Sequence, residues 1–288
     1  MAIRLVSLLS VVMLNSILLT SGIAQATAPV ISSKATIQDR TGSFYASWGW
    51  NEDRYTKSDI QFTGNDYDFT LSDVKATQRQ YKFTVNEFLN PVTVTIPQFN
   101  FRLGYYLNNT FDVFLGLDHM KYVVTEGQSV AINGSIRDSE TIHDGEYNGE
   151  QKVITNDFLD FEHTDGLNLI YAGAGIRHTF FTHKWLSLGA YETFSLGVMR
   201  PRSDVTLLSK ERHDKYNIAG VAFMGSGGLE LGLWNHFFLQ SELKGGYTVM
   251  PWIRTTFDKS DKATQSFWFG QAVVQFGGRW SFKKKTKG

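Results

Sequence analysis

Residues 267–282 read Phe-Trp-Phe-Gly-Gln-Ala-Val-Val-Gln-Phe-Gly-Gly-Arg-Trp-Ser-Phe, and their two-residue period restricts the possible folds more than any other stretch. Counting back from Phe282 puts Trp280, Gly278, Phe276, Val274, Ala272, Gly270 and Trp268 on one face. Ser281, Arg279, Gly277, Gln275, Val273 and Gln271 fall on the other, which is mostly small or polar. About 9 to 11 tilted residues span a bilayer, and aromatic residues at both ends sit where an interfacial girdle falls. The stretch predicts a transmembrane strand whose apolar face meets lipid.

The same grammar recurs along the chain. Residues 43–50 place Phe44, Ala46, Trp48 and Trp50 opposite Tyr45, Ser47 and Gly49. Residues 98–107 alternate most cleanly, turn at Asn108-Asn109 and return over 111–124. Spans 167–178 and 185–199 join across Thr182-His183-Lys184, and spans 217–233 and 237–250 join across Trp234-Asn235-His236. Long polar connections at 51–97, 125–166, 200–216 and 251–265 alternate with these short ones. The expectation is an all-β, closed, antiparallel up-and-down transmembrane β-barrel of eight strands with long extracellular loops. Residues 58–74 alternate Ile60 and Phe62, then Tyr67, Phe69 and Leu71, around Gly64-Asn65. They are expected to stand above the membrane as a hairpin; entry into the ring would raise the count to ten.

Arg4, an apolar run over 5–19 broken by Ser7, Ser10, Asn15 and Ser16, and then Ala24-Gln25-Ala26 predict a secretory signal peptide over residues 1–26. A single barrel domain follows over 27–288, ending in a short basic tail. No other segment approaches the roughly 18 apolar residues that a spanning helix requires. The absence of cysteine excludes a disulfide framework and a thiol nucleophile. Lysine plus arginine equal aspartate plus glutamate at 28 each, so total charge gives no reason to expect a nucleic-acid partner.

In this phasing the lumen receives Arg102, Arg177, Lys244 and Arg279 together with Asp112, Asp118, Glu230 and Glu242. An eight-stranded barrel is just wide enough for side chains to fill, and buried charges require partners. A balanced set therefore predicts a plug, whereas a ring of one sign would have favoured an ion path. Glu192 departs from the pattern: holding its neighbours outward turns it toward lipid, at a cost of up to about 2 kcal/mol or more. A bulge near Tyr191, a site close to the interface, a protonated carboxyl or a water-soluble barrel would each remove the conflict. His119 and Lys121 also break the alternation, at a strand end where snorkelling suffices.

Candidates for chemistry are sparse. Asp118-His119 and His163-Thr164-Asp165 lie at outer strand ends, and with a loop serine such as Ser129 or Ser139 they would supply nucleophile, base and carboxylate. Asp118, His119, His163 and Asp165 are the weak catalytic candidates, since no nucleophile motif accompanies them. His143 with Asp144 and Glu146 reads as a solvated acidic loop; no metal and no cofactor is expected.

Gln275, Gly277, Trp280 and Phe282 resemble the C-terminal signal by which outer-membrane barrels are recognised for assembly, displaced from the chain's end by 283–288. His163-Thr164-Asp165-Gly166-Leu167-Asn168, Lys210-Glu211-Arg212-His213-Asp214 and Glu242-Leu243-Lys244-Gly245-Gly246-Tyr247 resemble a group of small bacterial outer-membrane β-barrel proteins without an assigned activity. The resemblance implies a Gram-negative outer membrane, with membrane lipid, lipopolysaccharide and the barrel-assembly machinery as partners; it carries over no catalytic residue. The charged run from Lys210 to Lys215 reads as a loop that would meet lipopolysaccharide phosphates. The expected role is structural, or contact with a surface ligand through the loops. Its rivals are a lipid A-modifying acyl hydrolase or transferase at the outer rim, a narrow channel and a soluble lipid-binding barrel.

Overall fold

A computed structural model describes residues 39–282 apart from 83, 91, 94 and 211–212, so the expected signal peptide and basic tail lie outside the described residues. In chain order the strands are β1 (Phe44–Tyr55), β2 (Ser58–Thr63), β3 (Tyr67–Val74), β4 (Ala76–Thr77), β5 (Phe99–Tyr106), β6 (Phe111–Val124) and β7 (Ser129–Ile136). They continue as β8 (Gly145–Val153), β9 (Leu159–His183), β10 (Leu186–Met199), β11 (Asp204–Leu207), β12 (Gly220–Leu233), β13 (Phe237–Arg254) and β14 (Lys262–Trp280). One short helix, α1 (Val85–Leu89), interrupts them.

Eight of these strands close a ring in the order β1, β5, β6, β9, β10, β12, β13 and β14, with β14 pairing back to β1. Starting at Phe44, the paired register passes through Tyr105, Val113, Ala174, Phe194, Gly225, Gly245 and Gly270 and returns to β1 at Arg54, ten residues further on. Such a stagger obliges the strands to tilt. Three short turns gather at one end. Asn108 closes the first by accepting from the amides of Thr110 and Phe111, both at 2.8 Å, and the others use left-handed backbone at Lys184 (φ 48°), Trp234 (φ 47°) and Asn235 (φ 65°).

Around this ring the outward positions are apolar and exposed: Leu103, Leu115, Ile170, Phe194, Leu196, Val221, Phe223, Leu239 and Phe276. Phe44, Trp280 and Phe282 cluster at the turn end, and Phe223, Tyr247 and Trp268 form a second aromatic group at the other, with centroids 4.9 to 6.2 Å apart. An outward apolar band between two aromatic girdles is the surface of a transmembrane barrel. It distinguishes the chain from a soluble barrel with a buried apolar interior.

The long connections differ from the expectation of loops. The hairpin at 58–74 forms as β2 and β3, but it pairs with the outer end of β14 at Lys262–Gln265 and continues through β7 and β8, extending the sheet without entering the ring. β9 runs for 25 residues, β13 for 18 and β14 for 19, well beyond what a bilayer needs. Together they build a cap with its own apolar core, in which Ile60, Phe62, Leu71, Ile132, Phe158, Leu207 and Ile253 are all fully buried. Fully burying each such side chain contributes about 1.5–3 kcal/mol.

The segment before β5 folds down the outside of the ring. β4 pairs with β6 at Val123 and Val124, and α1 lays Phe88 against the outward ring of Trp50, 5.8 Å between centroids. Thr84 caps α1 by accepting from the Glu87 amide at 3.1 Å. The helix escapes periodicity analysis because five residues hold little more than one turn.

Candidate functional site

The eight charged residues expected in the lumen are at most 5% exposed and meet in two layers. In the layer nearer the cap, Arg102 grips Glu242 with two hydrogen bonds of 3.1 Å, and the Tyr191 hydroxyl donates to the same carboxylate at 3.0 Å. Lys244 donates to Asp118, which also accepts from Asn100 at 2.6 Å and Tyr171 at 2.9 Å. In the layer nearer the turns, Arg177 bridges Asp112 and Glu230, both at 2.8 Å, while Arg279 donates to Glu230 as well.

Sequence reasoning missed two members. Arg40 reaches Glu230 at 2.8 Å from ahead of β1, where no strand period marks it. Asp53 is fully buried and accepts from Gln271 at 3.0 Å and Gln98 at 3.1 Å. It lies on β1 beyond Trp50, where the sequence reading ended that strand. Its place among Ser47, Gly49 and Asn51 at alternate positions was the available signal. Arg40, Arg102, Arg177, Lys244 and Arg279 thus face Asp53, Asp112, Asp118, Glu230 and Glu242, a balanced lumen with room made by glycines. At Gly104 and Gly116 a Cβ would meet the rings of Tyr45 and Tyr171 at 2.2 Å.

The four catalytic candidates do not converge. Asp118 lies in the lumen on Lys244. His119 faces outward, its Nδ1 2.8 Å from Asn168 Oδ1. His163 is fully buried in the cap between Tyr122 and Phe161, and neither ring nitrogen has a partner among the described residues. Burial pushes its imidazole down to about 3. Asp165 is held by Arg202 at 2.9 Å. Of the four, His119 and Asp165 share a cleft, and among the described residues no serine lines it. Ser129 instead donates to Gln151 at 3.1 Å, and Ser139 is engaged by Thr141 and Asp144.

His143 bonds Asp157 at 3.1 Å and Lys152 at 2.9 Å while Glu146 pairs with Arg137; among the described residues no three carboxylate or imidazole groups are arranged to hold a metal. Lys210 bonds Asp66 at 3.2 Å and Asp214 holds Arg202 at 3.0 Å, so these charges of the 210–215 run tie loops together. Glu192 does face outward, opposite Ile176 and Gly227. The bulge of this region lies elsewhere than Tyr191, between Leu188 and Gly189 opposite Phe180, and does not turn the carboxylate inward. Of the assembly-signal residues, Gln275 is buried and accepts from Ser47 at 2.6 Å; Gly277 faces Phe238; Trp280 and Phe282 are exposed beside Phe44.

No protein-family model and no curated protein matches the chain. Among solved structures it is similar to Ail, the attachment invasion locus protein of Yersinia pestis, at 13% identity over 83% of this chain and 99% of that one, with a TM-score of 0.29. It is also similar to the outer membrane protein OprG of Pseudomonas aeruginosa, at 9% identity over 84% and 97%, TM-score 0.38. A third is the outer membrane protein AlkL, at 13% identity over 92% and 100%, TM-score 0.35.

Proposed function

We propose that this small outer-membrane β-barrel sits in the envelope of a Gram-negative bacterium and works by contact through its outer end, not by passage through its lumen. The observation that carries this reading is the double layer of ion pairs closing the ring, roofed by the apolar core of the cap. A solute would have to separate these pairs, and leaving one member of a buried pair alone costs about 3–5 kcal/mol. The cap supplies the contact surface, and the balanced plug supplies rigidity. Membrane lipid and lipopolysaccharide would surround the belt, and Gln275, Gly277, Trp280 and Phe282 would present the strand to the assembly machinery.

Two measurements test it. Purified protein in a planar bilayer is expected to give no discrete conductance steps, and steps in the wild type would overturn the plug. Protease added to intact cells is expected to cut the 137–150 segment, most of whose residues are exposed; cleavage only after the outer membrane is breached would overturn the orientation.

A further inference from the structure

Where the apolar belt ends, the outside of the ring holds a cleft of about 570 Å³. Its floor is a cross-strand row made by His119 on β6, Asn168 on β9 and Arg200 just past β10, whose amide donates to the Asn168 carbonyl at 2.7 Å. Neighbouring strands lie about 4.8 Å apart, so the row is about 10 Å wide. Directly beneath it run Leu117, Ile170 and Val198, continuous with the lipid-facing band. Tyr81, Thr95 and Ile96, from the segment folded down the outside, wall one side, and Tyr216 walls the other.

The upper part of the cleft carries two uncommitted cations. Lys121 is only 4% exposed, yet among the described residues its ammonium makes no ion pair and no hydrogen bond; Asp165 and Glu162 act on it only at longer range, Arg79 opposes them, and it stands 4.5 Å from the centroid of Tyr81. The Arg200 guanidinium likewise has no ion pair and lies 5.0 Å from the centroid of Tyr216. Among the described residues lining the cleft the one acid is Asp165, already occupied by Arg202. Aromatic faces offset part of the cost of a desolvated cation, but an anion offsets far more.

We propose that this cleft binds the phosphorylated headgroup of an outer-leaflet glycolipid of the lipid A type. Its phosphates sit on Lys121 and Arg200, with His119 beside Lys121 on the same strand and Asn168 on the strand between, and its acyl chains follow Leu117, Ile170 and Val198. Two cations two strand spacings apart suit two phosphates on a rigid sugar better than one phosphodiester. The proposal rests on the outward orientation of the cap given above.

The test uses the full barrel in an uncharged detergent, in preparations whose unheated band shifts on a gel. It is titrated with diphosphoryl lipid A, the same lipid dephosphorylated, phosphatidylglycerol and inorganic pyrophosphate, with complexes counted by native mass spectrometry. Diphosphoryl lipid A is expected to bind at least tenfold tighter than the other three. Lys121→Gln with Arg200→Gln should remove that preference, and Arg200→Gln alone, at an exposed position, should weaken it several-fold. Lys259→Gln with Lys262→Gln, in the loop before β14 and at the first residue of β14, should change nothing. Equal binding of phosphatidylglycerol, undiminished binding by the double variant, or pyrophosphate binding as tightly as the lipid would each overturn the proposal. A normal gel shift without phosphate-dependent binding sinks the cleft alone, whereas a wild type lacking the shift sinks the barrel reading and the cleft with it.

Discussion

Arg102 and Glu242 face each other across the lumen in a two-pronged ion pair, 1% and 1% exposed, with the guanidinium carbon 4.5 Å from the centroid of Phe114. The pair belongs to different sides of the ring, β5 and β13, so it fastens the lumen across its width. Removing one partner leaves the other charge buried and unsatisfied, whereas removing both leaves no charge of the pair alone and orphans only the Tyr191 hydroxyl. Glu242→Gln is therefore expected to destabilise the barrel by about 3–5 kcal/mol, and Arg102→Met with Glu242→Leu to cost much less. Urea unfolding followed by the gel shift measures both; a double variant as unstable as the single would show that the pair itself supplies the stability.

Glu192 offers a test of opposite sign. It faces lipid between Ile176 and Gly227 with no ion pair among the described residues, so its charge opposes insertion. Glu192→Leu is expected to stabilise the barrel in lipid by up to about 2 kcal/mol. Unfolding from phosphatidylcholine vesicles decides the sign, and a destabilised variant would mean that the carboxylate has a partner in the membrane.

The spanning part of the fold was legible because one environmental inversion acts on every strand there: Phe101, Leu103 and Tyr105 alternate with Asn100, Arg102 and Gly104. Of the cap only the hairpin at 58–74 was legible, although more of its signal was present. Along β9 the same inward parity carries Leu159, Phe161 and His163 in the cap and Tyr171, Gly173, Gly175 and Arg177 in the ring. The cap meets water outside and oil inside, so its polarity runs the opposite way, and Asp160 and Glu162 made this stretch read as loop. β8 hides still better, since both its faces are largely exposed. The lumen set followed from alternation alone, but the cleft needs Lys121, Arg200 and Tyr81 from three separate segments, and no spacing along the chain records that meeting.

The close approach of ring and backbone at Gly104 gives a steric test. Its missing Cβ leaves room for Tyr45, whose hydroxyl donates to Asp112 at 2.5 Å and whose ring lies against Arg177. Gly104→Val would drive that ring out of place and break the lower ion-pair layer. A loss of about 3 kcal/mol or more is expected from overpacking together with the unmade hydrogen bond. Tyr45→Ala in the same chain vacates the space and should recover part of the loss; if it recovers none, the clash is not the cause.

His163 makes the cap sensitive to acid. Its buried imidazole titrates near 3 instead of about 6.5, so an opened cap binds a proton that the closed cap refuses. Because the closed-state pKa is the lower one, the stabilisation is complete above about pH 6.5 and is lost as pH falls toward 3, by up to about 1.4 kcal/mol per pH unit. Amide exchange, corrected for intrinsic rates, is expected to speed up in β2, β3 and β7 between pH 7 and 4.5 while β12 and β13 hold steady. His163→Phe keeps an aromatic ring beside Tyr122 and Phe161 and should flatten that response. An equal acid response in the variant would place the switch on another group.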